Sequence, residues 1–402
     1  MTQGRAVSNS EHHDWRDRLV KHPASIYYLM LGSTILLLLL GVLMVWSASA
    51  IESIRATGNS YDIASKQLMY AVVGLIGLWF AARLSAGQLR SIAWPLLLVT
   101  LVLLVLVLVI GTEVYGSKNW ISLGGPFRLQ PSEFAKIALI IWGAHILTRK
   151  WRPVMDWSLL LVPVLPTGMA LMLLVIMEGD FGNAMIIGVI MVGIFYAVGA
   201  PLRLFAALGA AGAVGMIFVF QQFEYRRDRW LAFLDPNPDP LGIGYQAQQG
   251  TYALGTGGPF GVGLGASREK WGNLPAAHTD FILPVIGEEL GLVGTIGVLG
   301  LLLLLIWSIL RLARETPDRF TQLLAAGMAT WLIIQVVTNV GAALKMLPIT
   351  GVTLPLVSYG GSSLIPMLVG IGLLLGRARR LVPESSEPPS VEVAGPRQAA
   401  SR

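Results

Sequence analysis

The sequence predicts an all-α, polytopic membrane protein with ten transmembrane helices and one large extracytoplasmic loop between spans seven and eight. Of its 402 residues, 54% are hydrophobic and only 13% are charged, whereas an ordinary soluble domain has roughly 25% charged residues. Runs such as LGSTILLLLLGVLMVW and PLLLVTLVLLVLVLVI belong to segments long enough to cross a membrane. A helix that crosses a hydrocarbon core of about 30 Å needs roughly 20 apolar residues.

Ten apolar segments define the predicted spans, and they leave three polar regions between and around them. Residues 1–25 lack the apolar core of a cleaved signal peptide, so we expect the first span to remain as an anchor. The segment 221–280 forms the predicted large loop, and 381–402, rich in Pro, Ser and Ala, is predicted to be disordered. The spans lie near 26–48, 67–83, 91–111, 132–148, 156–177, 184–199, 203–220, 281–310, 320–343 and 361–376.

The distribution of Lys and Arg predicts the orientation. With the N-terminus inside, the inner segments carry 18 of these residues and the outer segments carry 10. Half of the outer ones lie in the long loop, and long loops cross regardless of their charge. Both tails are therefore predicted to be cytoplasmic. The net charge of +6 follows from this topology, so we predict no nucleic-acid partner, and the absence of cysteine excludes disulfides and thiolate metal sites.

Ionisable side chains inside a span are costly, so each is a candidate for function. In LGGPFRLQPSEFAKIALII, Lys136 follows Glu133 at i+3 on one helical face. The pair is either an intrahelical ion pair or part of a polar cleft that opens outward. In MEGDFGNAM, Gly179 permits a tight reversal around Glu178 and Asp180, and the sequence favours a plain turn and a site rim equally.

The long loop combines helix breakers with cations. Its prolines and the glycines between 255 and 265 predict short elements rather than one helix. GTGGPFGVGLG lacks the Lys-Ser/Thr ending and the strand-helix context of a phosphate-binding loop, so we predict no nucleotide. The cations are either contacts to lipid phosphates or part of a site that grips a pyrophosphate and moves a proton with Asp280. They are Arg226, Arg227, Arg229, Arg268 and Lys270.

Three carboxylates surround the start of the eighth span in LPAAHTDFILPVIGEELG. At Asp280 the helix dipole favours the charged form and burial opposes it, and the sequence leaves this balance open. Glu288 and Glu289 lie about 12 to 14 Å deeper along a regular helix. Glu288 lies about 80° around the helix from Asp280, and Glu289 nearly opposite. We expect both glutamates to be structural, paired with polar groups on neighbouring spans.

Five stretches together resemble the SEDS family (shape, elongation, division and sporulation) of polytopic peptidoglycan polymerases, over roughly residues 26–376. Within it, WSASA and IGEELG look more like the division branch than the elongation or sporulation branches. The resemblance implies a ten-span membrane domain over 26–380. The five stretches are WISLGGPFRLQPSEFAK, EGDFGNA, RWLAFLDPNPDPLGIGYQAQQ, SREKWGNLPAAHTDFILPVIGEELG and LPITGVTLPLVSYGGSSL.

The resemblance implies that Asp280, in the HTDF motif, is the catalytic base, and that Glu133 and Lys136 complete the same cleft. The chain departs from the family pattern at Ala276, Gly179 and Glu269, where family members commonly have Glu, Pro and Gln. A divalent cation, Mg or Mn, is expected, with Asp280 and Glu133 as possible ligands. The predicted substrate-binding residues are Arg226, Arg229, Arg268, Lys270, His278, Thr279, Asp180, Gln249 and Ser358.

The implied reaction joins lipid II molecules on the outer face of the bacterial plasma membrane and releases undecaprenyl pyrophosphate. The implied partners are a class B penicillin-binding protein and other divisome membrane proteins, at the division septum. An elongation-type polymerase is the alternative within the family. A lipid II flippase or transporter is the rival from another class, but no inverted repeat is visible and the acids lie at one face. A non-catalytic scaffold would leave the buried acids unexplained.

Overall fold

The structure is a computed structural model, and it describes residues 23–114, 117–124, 128–150, 157–222, 233 and 244–381. Apart from residues 23–25 and 381, the two predicted tails lie outside these residues. Seven described helices are long and apolar enough to cross a membrane, and two shorter apolar helices accompany them. The predicted helical membrane fold is thereby confirmed at this coarser level.

Ten of the described helices contain 18 residues or more, and their positions follow the ten apolar segments. An eleventh, short helix (α8) lies in the segment predicted as the large loop. The helices are α1 (Pro23–Thr57), α2 (Asp62–Arg83), α3 (Ala86–Ile110), α4 (Pro131–Lys150), α5 (Trp157–Met177), α6 (Phe181–Val198), α7 (Leu202–Gln222), α8 (Tyr245–Gly257), α9 (Ile282–Glu315), α10 (Arg319–Ala343) and α11 (Gly361–Arg379).

A small antiparallel sheet between α3 and α4 departs from the all-α prediction. It contains β1 (Thr112–Val114), β2 (Ser117–Ser122) and β3 (Arg128–Leu129), with β2 in the middle. Such short strands give too few alternating positions for a period of two to stand out in the sequence. The Ser362 hydroxyl at the start of α11 donates to the Arg128 carbonyl at 2.7 Å and ties the sheet to the bundle.

The inner helices α4, α6, α10 and α11 are the most buried, while α2 and α3 present much of their surface outward. α11 lies directly against α2 because glycines remove side chains from the contact. A Cβ at Gly372 or Gly376 would collide with the carbonyl oxygens of Leu78 and Ala82. Close backbone approach through small residues is a common way for membrane helices to pack.

Helix α9 is broken at Gly291, which adopts φ 69° and ψ −166°. A break inside a membrane protein leaves N–H and C=O groups that must find partners within the protein. Here residues 258–263 supply them through four backbone hydrogen bonds. Leu292 N–H donates to Gly258 C=O (2.9 Å), Val293 N–H to Pro259 C=O (3.1 Å), Val262 N–H to Glu288 C=O (2.9 Å) and Gly263 N–H to Glu289 C=O (3.1 Å).

Residues of the run GTGGPFGVGLG therefore provide backbone hydrogen-bond partners for the helix residues around the break. A Cβ at Gly257 would collide with the Gly287 carbonyl, and one at Gly261 with the Glu289 carbonyl. Gly257 and Gly261 thus let two backbones come within hydrogen-bonding distance.

Glu288 and Glu289, just before the break, hold residues 267–270 of the preceding loop, as expected of structural residues. Glu289 pairs with Lys270 Nζ at 2.8 Å and accepts from the Ser47 hydroxyl of α1 at 2.7 Å. Glu288 accepts from the Ser267 hydroxyl at 2.5 Å, so its partner belongs to the loop and not to a neighbouring span. Asp280 and Phe281 precede the helix, which begins at Ile282, so the angles calculated for a regular helix from Asp280 to the two glutamates do not apply.

The turn between α5 and α6 buries the carboxyl group of Glu178. Its side chain has no hydrogen-bond partner for either oxygen within the described part of the chain. The carbonyls of Glu178 and Gly179 accept from Lys118 N–H (2.9 Å) and the Ser117 hydroxyl (3.1 Å), which ties the turn to β2. Burial, followed by repulsion from Asp180, raises the pKa of Glu178 from its ordinary 4.5 to about 8.

Replacing Gly291 with Ala should destabilise the protein by about 1–3 kcal/mol, because the conformation at 291 is essentially restricted to glycine. The thermal midpoint of the purified protein in detergent measures this. Gly297→Ala is the matched control, since 297 lies in regular helix and a Cβ there meets nothing within 4 Å. Equal effects of the two substitutions would contradict the assigned role of the break.

Glu178→Gln should make stability less dependent on pH. A carboxyl whose folded-state pKa is raised contributes stability that is fully present below 4.5 and is lost as the pH rises through about 8. The thermal midpoint of the wild type should therefore fall relative to that of Glu178→Gln across this interval. Replacing the exposed Glu113 by Gln is the control and should leave the wild-type profile in place. Parallel profiles for the wild type and Glu178→Gln would refute the burial argument.

Candidate active site

A cavity of about 770 Å³ lies at one end of the bundle. The helices α4, α6, α8 and α11 contribute to it from their N-terminal turns, α2 contributes Lys66 and Tyr70 from its second and third turns, and Asp280 precedes the start of α9. Helix N-termini carry partial positive charge and unpaired N–H groups, so this end of the bundle favours an anionic ligand. The ionisable carboxylates and cations of the lining are Lys66, Arg128, Glu133, Asp180 and Asp280.

Asp280 is held in the cavity wall through its backbone. The Asn339 side chain of α10 donates to the carbonyls of Asp280 and Val352, both at 2.8 Å, and so joins the HTDF segment to the loop before α11. The carboxylate lies beside Gly351, where an added Cβ would stand 3.6 Å from Asp280 Oδ2. Asp280 thus lies two residues before the first residue of α9, near the start of the eighth apolar segment, as the sequence indicated.

The backbone carbonyl of Ala276 accepts the hydrogen bonds that form the turn around Asp280. Ala276 C=O accepts from the N–H groups of Thr279 (3.1 Å) and Phe281 (3.2 Å). Ala276 itself has φ 54°, a left-handed conformation that costs a residue with a Cβ roughly 1–2 kcal/mol. Both Ala276 and Thr279 line the cavity.

Glu133 and Lys136 satisfy both of the alternatives that the sequence left open. Lys136 Nζ lies 2.7 Å from Glu133 Oε1 in a buried ion pair, and it also donates to Asn183 Oδ1 at 2.9 Å. It lies 5.0 Å from the ring centroid of Trp331. The second carboxylate oxygen of Glu133 has no partner among the described residues, and Glu133 lines the cavity. Lys136 therefore compensates buried charge behind the wall, while Glu133 reaches the cavity.

Asp180 likewise combines a turn with a site. It caps α6 by accepting from the Asn183 N–H at 3.1 Å. Its other oxygen accepts from the side-chain amides of Asn119 (3.0 Å), Gln130 (2.7 Å) and Asn183 (2.9 Å). Neutral donors hold the carboxylate in place and leave its negative charge facing the cavity.

Two cations of the cavity, Lys66 and Arg128, were absent from the predicted substrate-binding residues. Lys66 pairs with Asp62 at 2.8 Å within α2, and both side chains keep about a third of their surface exposed. Arg128 belongs to β3 and lies three residues before Pro131 in the motif WISLGGPFRLQPSEFAK. Its place in that motif was the available signal, whereas nothing in the sequence indicated that Lys66 would lie beside it.

Two predicted binding residues of the long loop do not line the cavity. Lys270 is buried in its ion pair with Glu289, because a lysine charge without water needs such a partner. Arg268 is exposed and donates its backbone N–H to Glu288 at 2.8 Å. Arg226 and Arg229 fall outside the described residues.

Three further predicted residues lie outside the lining, and two of them, His278 and Ser358, support the wall from behind. His278 Nδ1 lies 3.2 Å from Glu52 Oε2, and its ring centroid is 5.5 Å from that of Tyr359. The buried Ser358 hydroxyl accepts from the Leu354 N–H at 2.8 Å. Gln249 lies on α8 outside the lining. Of the predicted substrate-binding residues, Asp180 and Thr279 remain in the cavity.

The described residues contain no group of three or more His, Cys, Asp or Glu side chains arranged to hold a metal ion. A cage made only of this part of the protein is therefore not present. Mg²⁺, however, is commonly held by one or two carboxylates together with substrate phosphates. Glu133, whose second carboxylate oxygen is buried without a partner among the described residues, and Asp280 both line the cavity, and two carboxylates on one cavity fit that second arrangement.

Comparison with known proteins identifies the family. The family model for cell cycle proteins named after FtsW, RodA and SpoVE matches residues 27–381. The probable peptidoglycan glycosyltransferase FtsW of Mycobacterium tuberculosis is 42% identical over 359 residues, covering 89% of this chain and 68% of that protein. The stage V sporulation protein E of Bacillus subtilis is 38% identical, covering 86% and 95%.

Solved structures agree with this match. A chain from a peptidoglycan synthase complex, studied for its structural coordination of polymerization and crosslinking, has a TM-score of 0.72 at 32% identity and covers 87% of this chain and 96% of its own. The rod shape determining protein RodA of Thermus thermophilus has a TM-score of 0.64 at 30% identity, covering 88% and 96%. The family predicted from the motifs is confirmed: this chain belongs to the FtsW, RodA and SpoVE family of cell cycle proteins.

Proposed function

We propose that this chain is a peptidoglycan glycosyltransferase that polymerises lipid II on the outer face of the bacterial plasma membrane. The observation that carries the proposal is a single cavity that brings Asp280, Asp180 and Glu133 together with Lys66 and Arg128. Relatives named as peptidoglycan glycosyltransferases support the reaction class.

Asp280 is the proposed general base. The 4-hydroxyl of one lipid-linked sugar attacks the anomeric carbon of another, and the bond to undecaprenyl pyrophosphate breaks with its electron pair on the leaving oxygen. An unactivated hydroxyl is a weak nucleophile, so a positioned carboxylate takes its proton as the new bond forms. An α-linked donor becomes a β-linked product, so one displacement with one base is sufficient.

The leaving diphosphate needs positive charge, and we assign this role to Lys66 and Arg128. Both line the cavity with Asp280, whereas Lys270 is engaged by Glu289 and Arg268 lies outside the lining. Charge-assisted hydrogen bonds to phosphate oxygens are short and strong, and Arg can make two in parallel. The helix N-termini around the cavity add to the same field.

A divalent cation, Mg or Mn, would be held by Glu133 and Asp280 together with the substrate's phosphates. When bound, it would neutralise charge that develops on the leaving group. Lys136, fixed by Glu133 and Asn183, then acts as a positioning residue that keeps the Glu133 side chain toward the cavity. No nucleotide is needed, because the donor brings its own leaving group.

The finer topology is part of the same proposal. We assign ten spans to α1–α7 and α9–α11, with both termini in the cytoplasm and residues 221–280 outside. Three of these ten helices, α4, α5 and α7, are not among the seven that are long and apolar enough by themselves. α4 carries the polar residues Glu133, Lys136 and His145, while α5 and α7 contain the shorter apolar helices. A class B penicillin-binding protein and other divisome membrane proteins are the proposed partners at the septum. A chain similar to this one belongs to a peptidoglycan synthase complex, which supports a partner of this kind.

A lipid II flippase is the alternative of another class, and an elongation-type polymerase is the alternative within the family. A transporter usually holds its substrate near the bilayer midplane between repeats. The carboxylates of this cavity, Glu133, Asp180 and Asp280, lie instead at or just before helix N-termini at one end of the bundle, which favours a reaction at the membrane surface.

Asp280→Asn should lower glycan synthesis by roughly 10²–10⁴-fold while leaving the fold intact, because only the base is lost. The assay combines the purified protein, its transpeptidase partner and labelled lipid II, with the thermal midpoint as a check of folding. Glu315→Gln, an exposed carboxylate at the opposite end of the bundle, is the control. Near-normal synthesis by a folded Asp280→Asn protein would overturn the mechanism. A wild type that moves lipid in vesicles and makes no glycan would favour the flippase.

Lys66→Gln and Arg128→Gln should each lower kcat/KM by about tenfold or more, because a hydrogen bond to a charged group contributes about 1.5–3 kcal/mol. Arg268→Gln and Lys345→Gln remove exposed cations outside the cavity and should change it little. The same assay, run over a range of lipid II concentrations, measures all four. A larger loss for Arg268→Gln than for the two cavity variants would indicate that cations of the long loop, and not Lys66 and Arg128, bind the leaving diphosphate.

A further inference from the structure

The segment Pro259–Leu264, called here the loop tip, exposes apolar side chains where the loop meets α9. The exposed fractions are 83% for Phe260, 58% for Leu264 and 41% for Val262. From Tyr245 to Ser267 the chain carries no charged residue. Exposing three large apolar side chains on one short loop to water is unfavourable in free energy, so we expect lipid or protein to cover this surface.

The sequence of α9 places the loop tip at a membrane boundary. Nineteen residues without a charge run from Leu292 to Leu310, and Arg311 follows. At about 1.5 Å per residue they span about 28 Å, which is close to the thickness of the hydrocarbon core. The crossing segment thus begins at the break itself, where Gly258 and Pro259 accept hydrogen bonds from Leu292 and Val293.

Helix α1 gives a second, independent measure of depth. Its uncharged run ends at Ile51, directly before Glu52, and the apolar part from Ile26 to Trp46 is about one hydrocarbon thickness long. Ser47 follows directly and donates to Glu289, two residues before the break. Ser47 also lies about 15 Å below Thr57, the outer end of α1, at about 1.5 Å per residue. Both helices therefore put the loop tip level with the edge of the hydrocarbon.

The surface beside the loop tip is the lipid-facing surface of α9. Leu292, Val293 and Ile296 are all largely exposed on the first turns of the crossing segment, so the apolar surface continues from helix to loop. Along the chain, Arg268 and the exposed Trp271 follow the uncharged stretch. Arg and Trp are typical of the headgroup level.

We propose that the loop tip is immersed among acyl chains of the outer leaflet and anchors the large loop to the bilayer. The assignment to the outer leaflet rests on the proposed topology. Because the same loop continues to Lys270 and Asp280, the anchor holds the catalytic segment at a fixed height over the membrane. A partner protein and a second copy of this chain are the competing covers.

The absence of cysteine allows a direct test. A nitroxide is attached to single cysteines at Phe260→Cys and Leu264→Cys in liposomes, and its collisions with oxygen and with a water-soluble nickel chelate are compared. Ile296→Cys on the lipid face of α9 and Asn273→Cys, exposed later in the same loop, are the matched controls. Thermal midpoints confirm that each labelled protein is folded.

The labels at 260 and 264 should resemble the one at 296, with loss of collisions with nickel and gain of collisions with oxygen. Nickel accessibility equal to that at 273 would overturn the proposal. Protection from both reagents that appears only with the transpeptidase, or only at concentrations where the chain dimerises, would assign the loop tip to a protein partner. Repeating the measurement in Asp280→Asn separates lipid contact from polymerase activity, since only the latter depends on the carboxylate.

Discussion

A backbone group released inside a membrane has to be hydrogen-bonded by the protein, and the organisation of this chain depends on how that is done at Gly291. The helix stops, the chain turns through a conformation open to glycine, and residues 258–263 take over the hydrogen bonds of the missing turn. The break divides α9 into a short segment that carries Glu288 and Glu289 and a long segment that crosses the membrane.

From that point a series of contacts leads to Asp280, the proposed base. Glu289 joins Lys270 of the loop to Ser47 of α1, and Glu288 holds Ser267. The loop continues to Asp280, whose carbonyl is held by Asn339 of α10. Contacts with α1, α9 and α10 thereby fix the position of a carboxylate that lies on a loop. Proton transfer requires such definition, because a base acts only within hydrogen-bonding reach of its proton.

The cavity combines charges that would repel in a simpler arrangement. Asp180 is stabilised by amide donors and by the N-terminus of α6, and Glu133 by Lys136. These partners allow several acids to lie near one another without closing the cavity with cations. Lys66 and Arg128 remain at the wall, where an anionic group can reach them. The arrangement suits a reaction that takes a proton at one place and releases a diphosphate at another.

By itself, the sequence determined the features that are local or repeated along the chain. Hydrophobic runs predicted the membrane helices, the i+3 spacing placed Glu133 and Lys136 on one helical face, and five motifs, one of them around Asp280, identified the family. Only the tertiary structure decided which cations accompany Asp280: Lys270, ten residues away in sequence, is engaged by Glu289, whereas Lys66 lies in the cavity. It likewise decided that Gly291 is a break and that short strands precede α4. The physical reason is that these outcomes depend on contacts between distant segments, and no pattern within one segment records which partner will neutralise a charge or complete a hydrogen bond.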